Sequence, residues 1–548
     1  MSTIKLHELE KLIFHKQFVE AEVACQKILR DDADNPRITE LLIYIYLQTQ
    51  QYSHASEILQ KLFSKETSNR GLCDKLAKVC ALNGDHRQAS DCYKQYLQTT
   101  PMDVEAIYNY AFNLRHAGKF HQSIEQYEKA LSLNISQPEE VLVNVAVIYT
   151  DHLRDDDKAE AMLLRALKFN PKYIPALFNL ANLDEQRGRK ATATKHFQTI
   201  LGLDPKHSTT LARLADLTTF SDSTDPIILH MEKMLLSHRL ESRDKIDILF
   251  ALGKAFDQCK QYTKAFEYYV LANRLNAKFN PRFSVTEFTH LVEQIISVFS
   301  ADWLAKNQTS DTYQPIFICG MFRSGSTLAE QILASHPKMT AGGELEFFVR
   351  HIASELSPFP NNVSLLTKNK LKNVGKLYQQ YIIQRFPEAD KVTDKRPDNF
   401  LYLGLIKAIF PHAKIIFTQR EPLDNFLSVY FQHLSPSMNY ATDLPNIAHY
   451  YSQQNRLMDH WKSLFPDSIY TLNYDELISR PEDKIKEMLN FLGLEWNADC
   501  LNFYQLDNTV KTASVLQVRQ PLYKTSSGRW KNYETQLLAN LPDFDFKY

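Results

Sequence analysis

Small residues recur at a nearly constant interval along the first half of the chain. The intervals are 34, 34, 34, 36 and 34 residues, between Ala21, Ala55, Ala89, Ser123, Ala159 and Ala193. Four residues after each comes a larger side chain, one helical turn further along the same face: Cys25, Leu59, Tyr93, Tyr127, Leu163 and Phe197. A fixed period of this length predicts a helical repeat protein in which every unit buries one stripe against its neighbours.

Glycine and proline mark the expected turns of these units. Five residues before a small position, where two helices of a unit would be joined, stand Gly84, Gly118 and Gly188. Twelve residues after a small position, where a helix would end, stand Pro101, Pro171 and Pro205. A later copy has Gly253 and Ala265 at the same relative spacing, which leaves room for one degenerate unit at about residues 220–240.

The segments FHQSIEQYEKALSLN and KAEAMLLRALKFNP resemble the tetratricopeptide repeat, a family with this 34-residue period. The resemblance implies an α solenoid of stacked helix pairs, a surface that commonly binds a peptide or a protein partner. The repeated small and aromatic positions serve packing, so none of them is assigned to a binding site. We expect the repeat array over residues 1–280, a helical connector and linker over 281–313, and a second domain over 314–548.

Charge and cysteine content exclude several classes of protein. Lys and Arg number 63 against 64 Asp and Glu, so no global basic excess indicates a nucleic-acid binder, and an anion site would have to be local. The seven cysteines form no CxxC pair, and neither a signal-peptide core nor a membrane-length apolar run is present. These features predict a cytoplasmic protein with no transmembrane segment, and no metal motif is found among the histidines.

The repeat pattern is absent from the segment PIFICGMFRSGSTLAEQILASHP, which begins at Pro315. This segment predicts a buried strand over 316–319, a glycine loop and a helix from about Ser326. Such a loop presents backbone N–H groups and a helix start to a phosphate. The spacing from Gly320 to Gly325 and Thr327 matches the phosphate loop of nucleotide-binding proteins, except that Ser326 stands where they carry lysine. That departure argues against ATP hydrolysis or a nucleotide kinase, and Arg323 supplies a cation instead.

A second anion-binding pattern lies in AKIIFTQREPLDNFLSVYF. The apolar run 415–418 predicts a strand that leads to Arg420, and the helix expected from about Leu423 carries Ser428. An arginine fork can pair with two phosphate oxygens at once, although a lone arginine after a strand is more often a surface ion pair. The combination with the glycine loop favours the anion site.

Both patterns together resemble sulfotransferases. FRSGSTL is similar to their PRSGTTL loop, which binds the 5′-phosphosulfate of 3′-phosphoadenylyl sulfate (PAPS), and Arg420 with Ser428 matches their signature for the 3′-phosphate. GGELEFF, VTDKRPDNF, YTLNYDEL and TASVLQVRQPLYKTSSGRW resemble tyrosylprotein sulfotransferases, with YTLNYDEL expected as a strand. The chain as a whole resembles the bacterial tetratricopeptide-repeat sulfotransferases.

The resemblance implies an α/β domain with a central, mainly parallel sheet, and PAPS as the donor co-substrate without a metal. It implies a catalytic group formed by Glu344, Lys395, Arg323 and Ser514. Glu344 would take the acceptor proton, and the other three would stabilise charge on the leaving oxygen. The donor-binding residues that it implies are Arg323, Ser324, Gly325, Ser326, Thr327, Arg420, Ser428, Tyr474 and Arg519.

Two departures leave the acceptor open. The vertebrate tyrosylprotein enzymes are membrane-anchored, whereas this chain has no such span, and GGEL carries one carboxylate where a GEE pattern would give two. A protein or peptide hydroxyl, tyrosine included, is favoured over a glycan or a small molecule because repeats of this kind bind peptides. The alternatives are a repeat adaptor whose second domain has lost catalysis and a nucleotide kinase.

Overall fold

The structure is a computed structural model that describes residues 3–236, 240–506, 508–512 and 514–542. Packing divides the chain into two compact units, Met1–Leu180 and Ala181–Tyr548. The second unit contains the last helices of the repeat array together with a β-sheet. The domain limits expected at residues 280 and 313 therefore stay a prediction.

Helices make up the first unit. They are α1 (Thr3–Phe14), α2 (Phe18–Asp31), α3 (Pro36–Gln48), α4 (Tyr52–Lys65), α5 (Arg70–Leu82), α6 (His86–Thr99), α7 (Val104–His116), α8 (Phe120–Ser132), α9 (Pro138–Val147), α10 (Asp156–Phe169) and the first part of α11 (Ile174–Gln186). The small residues predicted to face the core are fully buried: Ala21, Ala55, Ala89, Ser123 and Ala159. The predicted helical repeat is confirmed.

The 34-residue period is also present in the backbone. Four turns between helices, each 34 residues from the next, contain a left-handed residue: Lys16, Gln50, Gly84 and Gly118. Glycine at 84 and 118 was expected there, and its φ angles are 77° and 76°. Lys16 and Gln50 adopt the same region at φ 58°, so the first two turns carry no glycine signal in the sequence.

One irregular interval has a structural cause. Ser123 and Ala159 are 36 residues apart, two more than the period. Between them α9 continues into a π-helical segment, Ile148–Leu153, and the turn follows with Arg154 at φ 55°. A π-helical turn holds more residues than an α-helical one, and it absorbs the insertion without breaking the pair.

The second unit contains the end of α11 and the remaining helices. They are α12 (Lys190–Leu203), α13 (Ser208–Leu217), α14 (Pro226–Leu235), α15 (Ser242–Gln258), α16 (Tyr262–Asn276), α17 (Val285–Val298), α18 (Ala301–Asn307), α19 (Ser326–Ala334), α20 (Phe347–Glu355), α21 (Lys368–Arg385), α22 (Leu403–Ile409), α23 (Pro422–Tyr430), α24 (Leu444–Leu464), α25 (Tyr474–Ser479), α26 (Pro481–Phe491), α27 (Val515–Val518) and α28 (Glu534–Asn540). The range 220–240, where a degenerate unit was expected, contains α14.

Five parallel strands form the sheet of this unit. They are β1 (Ile316–Gly320), β2 (Met339–Ala341), β3 (Lys391–Lys395), β4 (Lys414–Gln419) and β5 (Ile469–Asn473), in the order β2-β3-β1-β4-β5. Each neighbouring pair is parallel, and the fully buried β1 pairs Ile318 with Lys395 of β3 and with Ile416 of β4. The predicted parallel sheet is confirmed, and the carboxyl ends of β1, β3 and β4 meet at one edge.

One local expectation differs from the structure. YTLNYDEL was expected as a strand, but β5 ends at Asn473 and Tyr474 begins α25. The Asn473 side chain accepts a hydrogen bond from the Glu476 backbone N–H at 3.0 Å, which caps the helix and ends the strand.

In the described part of the chain, no helix combines the length and the apolar character needed to cross a bilayer.

A buried carboxyl group lies within the sheet. Asp394 of β3 is 1% exposed and accepts hydrogen bonds from Tyr378 Oη and Asn399 Nδ2, both at 3.2 Å. Burial raises the pKa of Asp394 to about 7 in spite of these donors.

Asp394→Asn should change how stability depends on pH. The folded state holds the Asp394 proton more tightly than the unfolded state, so this group favours folding at low pH and that contribution is lost as pH rises from about 4 to 7. We expect the wild-type free energy of unfolding to fall by about 2 kcal/mol more than that of the variant between pH 5 and pH 8. Urea unfolding at both pH values measures this difference. The control is Asp459→Asn, on an exposed helix face. The expectation is contradicted if the free energy of unfolding changes equally with pH in the wild type and in Asp394→Asn.

Candidate active site

A small pocket that is open to solvent lies at the carboxyl edge of the sheet. Its lining comes from the loop between β1 and α19, from the turn after β2, from the end of β3 and from the segment before α27. The lining residues are Phe322, Arg323, Gly325, Ser326, Thr327, Glu344, Pro397, Thr512 and Ser514. Parallel sheets bind their ligands at this edge.

The loop after β1 is held close to β4 by backbone shape. Gly320 has φ 153°, and a Cβ there would lie 2.5 Å from the Thr418 backbone oxygen, so no other residue fits without movement. Ser324 donates to the Met321 backbone oxygen at 2.6 Å, and its hydroxyl lies 2.7 Å from Thr418 Oγ1. The Ser324 hydroxyl therefore fastens the loop to the sheet and is turned away from the pocket.

Arg323 spans the pocket with its whole guanidinium group. Nε donates to Ser428 Oγ at 3.1 Å, Nη1 to Ser514 Oγ at 2.6 Å and Nη2 to Gln517 Oε1 at 2.6 Å. All three partners are neutral oxygens. The arginine links the loop to α23 and to the segment that contains α27.

Arg420 stands next to Arg323, at the end of β4. Nη1 donates to the Arg323 backbone oxygen at 3.5 Å, Nη2 donates to the Ser526 backbone oxygen, and the guanidinium lies 5.0 Å from the centre of the Tyr474 ring. Its Nε is buried and has no hydrogen-bond partner.

The two arginines leave the pocket with excess positive charge. Among the ion pairs of the described residues, none involves Arg323 or Arg420. Desolvation and the neighbouring Arg420 lower the pKa of Arg323 to about 10, so it stays charged at neutral pH. Two adjacent cations without a carboxylate, and one unpaired buried Nε, fit an anionic ligand.

An ion pair forms the other side of the pocket. Lys395 Nζ, at the end of β3, donates to Glu344 Oε1 at 2.8 Å. The Lys395 side chain is fully buried, whereas that of Glu344 is 31% exposed. The carboxylate therefore faces solvent, and a buried ammonium group holds it from behind.

A strap formed by residues 526–530 covers Arg420 and Tyr474. The Tyr474 hydroxyl lies 2.7 Å from Ser526 Oγ, and Ser527 donates to Asp475 at 2.6 Å. Asp424 of α23 accepts the backbone N–H groups of Gly528 and Trp530 at 2.5 and 2.8 Å. These contacts fix the edge of the site near Arg420.

The structure brings most of the predicted site residues together. Those lining the pocket are Arg323, Gly325, Ser326, Thr327, Glu344 and Ser514. Lys395 and Ser428 are each one hydrogen bond away from a lining residue, and Arg420 and Tyr474 flank the loop. Their roles in binding and catalysis stay a prediction at this point.

Arg519 lies outside this group. Its guanidinium donates to the backbone oxygens of Leu506, Asn508 and Gln186, the last at 3.3 Å, and its side chain packs against Gly188. These contacts tie the α11–α12 turn to the segment that carries Ser514. A direct contact of Arg519 with the nucleotide remains only the expectation given by the resemblance.

Sequence reasoning missed several residues of the pocket. Gln517 and Thr512 flank Ser514 and contact Arg323 and Thr327, the latter at 3.3 Å, while Phe322 and Pro397 provide apolar walls. Gln517 lies three residues after Ser514, which is the spacing of one helical turn, and this was the available signal. No pattern in the sequence distinguishes Thr512 from other loop threonines.

Comparison with known proteins indicates the family of the domain that contains this pocket. Residues 315–498 match the sulfotransferase family, and residues 246–279, which cover most of α15 and α16, match the tetratricopeptide repeat. Residues 315–498 are a sulfotransferase domain.

The relatives match different shares of this chain. An uncharacterized protein of Aquifex aeolicus is 29% identical over 489 residues, which are 84% of this chain and 63% of the relative. Protein-tyrosine sulfotransferase 1 of Danio rerio is 24% identical over 216 residues, 37% of this chain and 60% of the relative. The chain thus spans slightly under two thirds of these relatives.

A solved structure is also similar to part of the chain. The sulfotransferase domain of the Synechococcus PCC 7002 olefin synthase is 21% identical and covers 44% of this chain and 98% of its own, with a TM-score of 0.33.

Among the residues that the structure describes, no cluster of three or more His, Cys, Asp or Glu could hold a metal ion.

Gly320→Ala should disrupt the sulfotransferase domain far more than a comparable substitution elsewhere. The new Cβ would overlap the Thr418 backbone oxygen and force the loop away from β4. We expect a loss of about 3 kcal/mol or more in the free energy of unfolding. Gly493→Ala is the control, because Gly493 also has a positive φ of 69° but has nothing within 4 Å, and it should cost about 1 kcal/mol. Equal losses in urea unfolding would contradict the close approach.

Proposed function

We propose that the chain is a PAPS-dependent sulfotransferase that transfers a sulfuryl group to an acceptor hydroxyl. The observation that carries the proposal is the pairing of two features at one sheet edge. One is the uncompensated positive charge of Arg323 and Arg420, and the other is the solvent-facing Glu344 held by the buried Lys395. Sulfuryl transfer needs both a site for a polyanionic nucleotide and a base for the acceptor.

The donor would be held by the loop and by the two arginines. The backbone N–H groups of Gly325, Ser326 and Thr327, at the start of α19, are available to a phosphate group, as is Arg420 Nε. Arg323 contacts Ser428 and Ser514 and thus reaches both ends of the proposed donor site. PAPS supplies the sulfuryl group, and its departure leaves adenosine 3′,5′-bisphosphate.

Glu344 would accept the proton of the acceptor hydroxyl. Its carboxylate is exposed enough to meet an acceptor, and it lies on the pocket wall opposite the loop. Lys395 donates to Glu344 Oε1 at 2.8 Å and so orients the carboxylate that would receive the proton. The apolar walls, Phe322 and Pro397, could contact the body of the acceptor beside the carboxylate.

The acceptor that we favour is a protein or peptide hydroxyl, tyrosine in particular. Two observations support this choice: the tetratricopeptide repeats in the same chain, and relatives named protein-tyrosine sulfotransferase. The repeats would bind the protein that carries the acceptor. No nucleic-acid partner is proposed, because the net charge is −1.

Two other functions are less well supported. A repeat adaptor with an inactive domain would not need Glu344 and Lys395 in contact at the same pocket as Arg323. A nucleotide kinase would need a lysine at the position of Ser326.

The test is a transfer assay with PAPS labelled in the sulfuryl group. The purified chain is incubated with labelled PAPS and a bacterial lysate, and label is then counted in protein, glycan and small-molecule fractions. We expect label in the protein fraction, released as tyrosine sulfate after alkaline hydrolysis. Label in no fraction above the level of a heat-inactivated control would contradict the proposal.

Glu344→Gln should abolish chemistry and leave donor binding intact. The substitution keeps the size of the side chain and removes the proton acceptor, so turnover should fall by about 10² to 10⁴. Affinity for adenosine 3′,5′-bisphosphate should stay within about threefold, because the arginines are unchanged.

The matched control is Glu346→Gln. Glu346 lies two residues further on, pairs with Arg350 and does not line the pocket. Its variant should retain wild-type turnover. Near-normal turnover of Glu344→Gln with saturating donor and acceptor would mean that another group takes the proton.

A further inference from the structure

A second glutamate lies behind the Glu344–Lys395 pair. Glu330 belongs to α19 and is 3% exposed. Its Oε1 accepts two hydrogen bonds at 2.9 Å, from the Gly343 backbone N–H and from Thr393 Oγ1 of β3. A buried carboxylate with two donors on one oxygen is unusual enough to require an explanation.

The Gly342–Gly343 turn is fixed from several sides. Gly342 N–H donates to Thr393 Oγ1 at 3.3 Å, and Lys395 N–H donates to the Gly343 backbone oxygen at 3.0 Å. A Cβ on Gly342 would lie 2.1 Å from the Thr393 backbone oxygen, and Gly343 has φ 67°. Glu344 is the next residue, so the hydrogen bond from Gly343 to Glu330 fixes the backbone position from which the Glu344 side chain extends.

Three charged or titratable groups lie near Glu330. Lys395 shares the face of β3 from which Thr393 bonds Glu330, Glu344 lies in the turn after β2, and Asp394 points to the opposite face of the sheet, where it bonds Tyr378. Burial and the nearby Glu344 raise the pKa of Glu330, and Lys395 opposes this shift. Lys395 forms its ion pair with Glu344, which reaches solvent, and its attraction to the buried Glu330 acts over a longer distance.

We propose that Glu330 is a positioning residue for Glu344: it fixes the Gly342–Gly343 turn and serves as the second counter-charge of Lys395. This inference rests on the proposed function. When Glu344 takes the proton of the acceptor hydroxyl, the O–H bond breaks, the proton moves to the carboxylate, and the ion pair with Lys395 loses its negative partner. Because Lys395 is fully buried, an ammonium group without a counter-charge would be costly, and the negative charge of the nearby Glu330 would offset part of that cost.

Glu330→Gln separates charge from geometry. Glutamine keeps an acceptor oxygen for Gly343 and Thr393 and nearly the same volume, but it removes the charge. Removing a negative charge beside the site favours the deprotonated forms of the groups that set the kcat–pH profile, so both of its limbs should move to lower pH, by about 0.5 unit. We expect kcat to fall by about tenfold and KM for PAPS to stay within about twofold.

Thr393→Val is the matched variant for geometry. It removes the hydroxyl that bonds Glu330 and Gly342 and leaves every charge in place. Its kcat should fall, and its pH limbs should stay at wild-type positions. Glu330→Gln limbs that coincide with those of the wild type would overturn the counter-charge role.

A measurement without substrate distinguishes this inference from the proposed function. Urea unfolding gives the unfolding constants of the wild type, Glu330→Gln, Glu344→Gln and the double variant. If the two substitutions acted independently, the change in the double variant would equal the product of the two single changes, and we expect it to differ from that product by about threefold or more. If the chain transfers no sulfuryl group but this coupling is present, the proposed function fails and the contact stands. If the double variant's unfolding constant changes by the product of the two single changes, the positioning role is wrong even in an active enzyme.

Should Glu330→Gln fail to fold, the cycle of Thr393→Val with Glu344→Gln takes its place. Thr393 binds the same Glu330 oxygen, so a coupling of similar size is expected there. A simple product in that cycle overturns the inference.

Discussion

Two arginine side chains that form no ion pair among the described residues concentrate positive charge beside the pocket. Arg323 and Arg420 come from different strand ends and meet because β1 and β4 are parallel neighbours. Partly buried cations repel one another and favour an anion between or beside them. The neutral partners of Arg323, which are Ser428, Ser514 and Gln517, hold the guanidinium in place without neutralising it. The loop, the strap and the segment around α27 all converge on this pair.

The other half of the site depends on how closely β3 approaches the turn after β2. Gly342 leaves no room for a side chain against Thr393, and the turn delivers Glu344 to Lys395. Glu330, Asp394 and Lys395 are buried together there, which concentrates charge in the sheet. Burying these groups is a cost to stability.

Much of the fold could be predicted because it repeats or alternates in the sequence. The small residues at 34-residue spacing, the glycine turns at 84 and 118, and the strand–loop–helix order at 316–334 are all local signals. The left-handed Lys16 and Gln50 could not be predicted, since nothing in a lysine or glutamine signals that conformation. Their turns take this form because the packed helices on either side require it.

The candidate site was predictable as a set of motifs but not as a set of contacts. The motifs identify Arg323, Glu344 and Arg420. The inward turn of the Ser324 hydroxyl depends on Thr418, 94 positions away, and one contact of Arg519 is to Gln186, 333 positions away. The sequence does not indicate a role for Glu330, because it resembles any other glutamate on a helix. Its burial depends on contacts with Thr393 of β3 and with the glycine turn.

Calorimetric titration of the purified chain with adenosine 3′,5′-bisphosphate and with ATP tests the central claim most directly. The claim is that Arg323 and Arg420 form a site for a nucleotide with phosphates at both the 3′ and the 5′ positions, in a loop that lacks the lysine used for a triphosphate. The account predicts that the bisphosphate binds at least about tenfold more tightly than ATP, without added magnesium. Binding of ATP that equals or exceeds that of the bisphosphate would contradict it.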